Sequence, residues 1–120
     1  MTSLFGRLSV LTALAVSVAL VGTTASAHAH LVKANPAENA AVTAPKALHL
    51  EFSEKLEPKF SAVELMKADG GPVPVTSKAK GKAIDAAAKS ALAPGGYMVM
   101  WHVLSADGHK MKGQYNFTVK

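Results

Sequence analysis

The feature that most constrains the fold is a two-residue alternation of apolar and polar side chains in four segments between residues 47 and 119. Successive side chains of a β-strand point to opposite faces, so this period is typical of strands with one buried face. We therefore expect strands at residues 47–53, 61–67, 97–104 and 114–119. Their apolar positions are Leu48, Leu50 and Phe52; Val63 and Leu65; Tyr97, Val99, Trp101 and Val103; and Tyr115, Phe117 and Val119.

Glycine and proline between these segments predict the connections. Asp69-Gly70-Gly71-Pro72 favours a hairpin, since glycine reaches positive φ without steric cost. Because prolines flank Val73, we expect a short strand at residues 73–76 to lie at a sheet edge. Pro94-Gly95-Gly96 precedes Tyr97, whose hydroxyl we expect to bond back to that turn.

Residues 83–93 fit two patterns. Ile84, Ala87, Ala88 and Ala91 have helical spacing, and alanine is the best helix former. The alternative is a strand near residues 82–86 followed by a loop, which the surrounding strands favour. About seven short strands predict an all-β, immunoglobulin-like Greek-key β-sandwich, with Trp101 as the large central core residue.

The first 27 residues differ from the rest and predict a cleaved secretory signal peptide. Arg7 precedes an apolar run over residues 8–21, shorter than the 20 or so residues of a membrane-spanning helix. Ala25-Ser26-Ala27 then gives the small-x-small pattern of a signal peptidase site. Cleavage there leaves residues 28–120 as one domain. Cleavage after Ala29 is the alternative, and a membrane anchor or a buried helix is another interpretation of residues 1–27.

Composition excludes several classes of site. The chain has no cysteine, which excludes disulfides, thiolate metal sites and cysteine nucleophiles. The lysines after residue 27 are scattered apart from Lys78, Lys80 and Lys82, and no arginine accompanies them. Nucleic-acid binding favours clustered basic residues with interleaved aromatics, so we expect a solvated surface and no nucleic-acid partner.

The histidines suggest a metal site. If cleavage follows Ala27, His28 offers its α-amine and its ring Nδ1 to a single ion. Asp107 and His109 add a carboxylate and an imidazole, and Gly108 between them permits a tight loop. This nitrogen and oxygen set suits Cu(II) and lacks the soft ligands that select Cu(I).

The sequence after residue 27 resembles the CopC-type periplasmic copper-resistance proteins. The resemblance covers residues 28–120, and its motifs are specific jointly. They are His28-Ala-His-Leu-Val, Asn35-Pro-Ala-Glu38, Leu50-Glu-Phe-Ser-Glu54, Leu92-Ala-Pro-Gly-Gly-Tyr97 with Trp101, Ser105-Ala-Asp-Gly-His109, and Gly113-Gln-Tyr-Asn-Phe-Thr-Val119.

The resemblance implies a non-enzymatic Cu(II) carrier or buffer of the periplasm, acting in copper homeostasis, resistance or import. It implies His28, Asp107 and His109 as ligands, and Glu54 near the metal in some members. The implied partner is a CopD-like inner-membrane copper importer or another periplasmic copper protein. We expect a monomer.

The Cu(I) chemistry of some family members is not expected here. Those members carry a methionine-rich loop, whereas residues 65–72 hold one methionine, Met66. Met98, Met100 and His102 share one face of a predicted strand, and with His49 on a neighbouring strand they form a candidate Cu(I) patch. Ordinary packing is the preferred interpretation, because methionine is a common gap filler.

Other functions remain open from sequence. His30, third after cleavage, offers a competing mode in which the amine, two deprotonated amides and its own ring bind the metal. An N-terminal histidine that chelates copper also occurs in lytic polysaccharide monooxygenases, so an oxidative enzyme is one alternative. A metal-free sandwich that binds other proteins is another, since this fold hosts many functions.

Overall fold

The computed structural model describes residues 29–120, which fold as two β-sheets packed against each other. The predicted signal segment and His28 lie outside the described residues. Among residues 29–120, no helix is long and apolar enough to cross a membrane. The strands are β1 (Leu31–Asn35), β2 (Ala41–Val42), β3 (Ala47–Phe52), β4 (Ala62–Lys67), β5 (Pro72–Val73), β6 (Val75–Lys80), β7 (Ala83–Ala88), β8 (Gly95–Leu104) and β9 (Lys110–Val119).

The strands divide into a four-stranded sheet of order β1-β3-β7-β6 and a five-stranded sheet of order β2-β9-β8-β4-β5. Among the strands of residues 29–120, only β2 and β9 pair in parallel. This confirms the all-β sandwich. The described part has nine strands, two of them (β2 and β5) only two residues long, whereas about seven were predicted. A single turn of 3₁₀-helix, Pro58–Phe60, precedes β4.

The edge position predicted for residues 73–76 is confirmed, but two strands share this stretch where a single one was expected. β5 lies at the edge of the five-stranded sheet, and β6 lies at the edge of the four-stranded sheet. Pro74 stands between them and has no N–H to donate to a ladder. The chain therefore leaves one sheet at this proline and enters the other.

The predicted alternation places the core between the two sheets. Every apolar position predicted from the alternation is buried. Phe52 of β3 meets Trp101 of β8 edge to face, with ring centroids 5.0 Å apart, so this pair joins the two sheets. Gly113 of β9 lies under the indole, where a Cβ atom would sit 2.3 Å from Trp101 Cζ2. Only glycine fits at that position.

Two local predictions are also confirmed. Residues 83–88 form β7, so the alanine-rich stretch is a strand and the alternative of a helix there is excluded. Ile84 and Ala86 are buried on its inner face, and that packing outweighs the helix propensity of alanine. The Tyr97 hydroxyl donates a 2.6 Å hydrogen bond to the carbonyl of Ala93 in the preceding turn.

Candidate metal centre

The Asp-Gly-His motif lies in the tight turn that joins β8 to β9. The backbone N–H of Ser105 donates to the carbonyl of His109 (2.9 Å), and that of Gly108 donates to the carbonyl of Ser105 (2.9 Å). Gly108 has φ +93°, a conformation that other residues rarely adopt. The turn therefore requires the glycine that separates Asp107 from His109.

Asp107 is oriented from two sides within this turn. The buried Ser105 hydroxyl donates to Asp107 Oδ1, and His109 Nδ1 lies 3.1 Å from Asp107 Oδ2. The hydrogen bond from Ser105, followed by that from His109, holds the pKa of the Asp107 carboxyl below its ordinary value. The carboxylate is therefore ionised, as a metal ligand must be.

Ser105 is a site residue that the sequence analysis missed as a functional position. Its Oγ also accepts the backbone N–H of His109 at 3.2 Å. Serine commonly forms such local hydrogen bonds, so the position of Ser105 two residues before Asp107 could have indicated this role.

A second loop, residues 53–57, is attached to the metal-site turn through the backbone. The N–H of Ala106 donates to the carbonyl of Lys55 (2.8 Å), and the N–H of Glu57 donates to the carbonyl of Leu104 (2.8 Å). Glu54 belongs to this loop and is exposed to solvent. These attachments place the backbone of the loop that contains Glu54 beside the Asp-Gly-His turn.

His30 is fixed to the same loop by Ser53, which the sequence analysis also missed. The backbone N–H of His30 donates to Ser53 Oγ (3.0 Å), and its carbonyl accepts the N–H of Ser53 (2.9 Å). His30 Nδ1 lies 3.1 Å from Ser53 Oγ. Ser53 is two residues from Lys55, so the start of the described chain lies at the end of the sandwich that carries Asp107 and His109.

Within residues 29–120, no three histidine, aspartate or glutamate side chains converge closely enough to hold a metal ion. His28, the predicted N-terminal ligand, lies outside this range. Asp107 and His109 are thus the predicted ligands that the structure places side by side.

His49 occupies a different place from the one the sequence suggested. It lies on β3 in the four-stranded sheet, whereas Met98, Met100 and His102 lie on β8 in the other sheet. The structure therefore excludes the disfavoured alternative of a patch that joins His49 to those methionines. The alternation of each strand does not say which sheet the strand enters.

The His49 ring contacts a carboxylate at each nitrogen. Nδ1 lies 2.5 Å from Asp85 Oδ1 on β7, and Nε2 lies 3.1 Å from Glu51 Oε1. The hydrogen bonds to Asp85 and then to Glu51 raise the pKa of His49 above its ordinary value. This cluster holds two strands together and is separate from the Asp107 turn.

The comparisons with known proteins agree on one family. A family model described as "CopC domain" matches residues 31–120. Protein YobA of Escherichia coli K12 is 40% identical over 109 residues, which cover 87% of this chain and 88% of YobA. Copper resistance protein C of Xanthomonas campestris pv. juglandis is 37% identical over 118 residues, covering 91% and 93% of the two chains. The crystal structure of CopC from Methylosinus trichosporium OB3b matches with a TM-score of 0.73 and 35% identity, covering 78% of this chain and 94% of that one.

Proposed function

This chain belongs to the CopC domain family, and from that premise we propose that it binds one Cu(II) ion in the periplasm as a carrier or buffer of copper. The proposed ligands are the α-amine and ring of His28, once it is the first residue, together with Asp107 and His109. The relatives named as copper resistance proteins support the link to copper.

The observation that carries the proposal is the attachment of His30 to Ser53. His28 precedes His30 by two residues, so their Cα atoms are at most about 7 Å apart. Ser53 and Lys55 tie His30 and the Asp107 turn to one loop. These attachments support the proposal that His28 binds the metal together with Asp107 and His109.

The chemistry of the donors supports Cu(II) over other oxidation states and metals. One amine, two imidazoles and a carboxylate make a tetragonal set, and Cu(II) exceeds Ni(II) and Zn(II) in affinity for such ligands. Each donor must be deprotonated to bind, so affinity for Cu(II) falls as the pH is lowered.

The competing amide-bound mode at His30 is disfavoured by its contacts. That mode needs the backbone nitrogen and Nδ1 of His30 on the metal. Ser53 Oγ lies 3.0 Å from the first and 3.1 Å from the second. We therefore propose that His30 positions the N-terminus, and that a His30→Ala variant keeps the Cu(II) spectrum of the parent.

Glu54 and the delivery partner complete the proposal. Glu54 is exposed between Ser53 and Lys55, where its carboxylate is an auxiliary oxygen donor from the side of the second loop. Its replacement by glutamine is expected to weaken Cu(II) binding less than replacement of Asp107. The proposed recipient or donor is a CopD-like importer of the inner membrane or another periplasmic copper protein.

The experiment compares two chains that differ by one residue at the N-terminus. The first begins at His28, verified by mass spectrometry, and the second carries one additional alanine before His28. Cu(II) titration against a competing chelator is expected to show one tightly bound ion in the first chain. The extended chain loses tight binding, because its amine no longer chelates with the His28 ring.

Equal tight binding by both chains would contradict the histidine-first site. Mass spectrometry of the protein recovered from the periplasm tests the processing directly, and an N-terminus other than His28 would overturn the assignment. Copper- and reductant-dependent cleavage of a glycan would instead favour the oxidative enzyme.

A further inference from the structure

The outward face of the five-stranded sheet carries an unusual set of side chains. On β8, Tyr97, Val99, Trp101 and Val103 are buried, so the alternating residues Met98, Met100 and His102 face away from the core. The outer face of an antiparallel sheet is normally polar. Here two thioethers and an imidazole follow one another along a single strand face.

The strand register adds a third methionine to this face. Met66 of β4 is the direct partner of Met98, and Glu64 of β4 is the direct partner of Met100. Opposite residues have Cβ atoms about 4.5–5.5 Å apart, and next-but-one residues on one strand are separated by about 6.8 Å. The Cβ atoms of Met66, Met98 and Met100 are therefore close enough for all three sulfur atoms to contact one metal ion.

Met66, Met98 and Met100 are all half-buried, so each side chain is partly exposed to solvent. The fourth methionine of the described chain, Met111, differs in position. It pairs with Val103 and packs against the core cluster. Three of the four methionines in residues 29–120 therefore share one surface, and the fourth does not.

We propose that Met66, Met98 and Met100 form a Cu(I) site on this outer face. Thioethers are soft ligands that select Cu(I), in contrast to the nitrogen and oxygen donors at the Asp107 turn. His102 lies on the same face but four residues from Met98, about 13 Å along the strand, so it stands outside the three-thioether site.

The site is separate from the proposed Cu(II) centre. Met100 precedes Ser105 by five residues along an extended strand, a distance of about 17 Å. The two centres therefore do not share ligands, and each is expected to bind its own ion. The proposal does not depend on the N-terminal histidine, so the two assignments fail independently.

The test follows the methionine methyl groups by NMR in a chain that begins at His28, with ¹³C-labelled methionine methyls, under anaerobic Cu(I) titration. We expect the methyl signals of Met66, Met98 and Met100 to shift on binding, while that of Met111 stays in place as an internal reference. Ag(I), which has the same preference for soft ligands, is a redox-inert second probe.

Substitution by leucine keeps the volume of the side chain and removes the sulfur. A triple variant with leucine at 66, 98 and 100 is expected to lose Cu(I) affinity by at least about tenfold, since the soft ligands are gone. The Met111→Leu variant serves as the matched control and keeps the parent affinity, and both variants keep the parent affinity for Cu(II). His102→Ala is expected to keep the parent Cu(I) affinity, because the imidazole lies outside the three-thioether site.

Cu(I) affinity of the triple variant equal to that of the parent would overturn the proposal. Methyl shifts confined to Met111 would do the same. Loss of Cu(I) binding in the Met111→Leu control would show that leucine substitution disturbs the fold, and the methyl shifts of the unmodified chain would then decide.

Discussion

Two histidine–aspartate pairs lie in different parts of this sandwich, and their surroundings differ. His49 and Asp85 face each other across β3 and β7, and Glu51 contacts the other ring nitrogen of His49. Asp107 and His109 are two residues apart in one turn, and Ser105 orients the carboxylate. The same two residue types therefore serve as a strand-to-strand contact in one place and as a candidate metal centre in the other.

The difference teaches that the backbone setting decides the role of such a pair. On a strand, side-chain directions are fixed by the pleat, and His49 meets whatever the register places beside it. In the turn, Gly108 directs two neighbouring side chains to the same side. The turn is also the place to which the loop holding His30 is attached.

The sharpest test of this contrast is removal of each histidine. His109→Ala is expected to weaken Cu(II) binding by about 100-fold or more, because loss of a direct ligand should exceed the cost of losing a supporting contact. His49→Ala is the matched control and is expected to leave Cu(II) affinity unchanged. Chelator competition on chains beginning at His28 measures both. Equal losses in the two variants would end the distinction between the pairs.

The aspartates provide a second, smaller contrast. Asp107→Asn is expected to weaken Cu(II) binding by about 10- to 100-fold, since an amide replaces a charged oxygen donor beside His109. Asp85→Asn is expected to leave Cu(II) affinity unchanged and to lower the pKa of His49, because its strongest hydrogen-bond partner loses its charge. Titration of the His49 ring protons by NMR measures the second effect. An unchanged His49 pKa in Asp85→Asn would show that Asp85 does not set it.

The smallest effect is the pH dependence of stability at His49. Its pKa is raised in the folded state, so protonation favours folding. This contribution is complete below the ordinary pKa of about 6.5 and is lost as the pH rises through the raised folded value. The side chains are 39% and 68% exposed, so solvent screens the pair and the effect is small.

Urea unfolding of the parent and of His49→Gln at several pH values measures this contribution. The difference in unfolding free energy between the two chains is expected to shrink as the pH rises. A difference that grows with pH would have the wrong sign and would contradict the assignment of the carboxylates as partners of the ring.

The strands were predictable because their signal is local. Alternation marked β3, β4, β8 and β9, and a strand was correctly favoured over a helix at β7. Around Pro74 the edge position was predicted correctly and the single strand was not, since one short run of sequence can supply edge strands to two sheets. The turn chemistry of Tyr97 and of Asp107-Gly108-His109 was also predictable, because each partner lies within a few residues.

Sequence by itself determined the period of each strand, the glycine-dependent turn and the candidate ligands Asp107 and His109. Tertiary structure alone decided which strands became neighbours. It placed Ser53 against His30, 23 residues away in sequence, and Asp85 against His49, 36 residues away. It also paired Met66 with Met98 on neighbouring strands. The physical reason is that alternation fixes which face a side chain takes, whereas sheet pairing and closure of the sandwich fix what lies beside it.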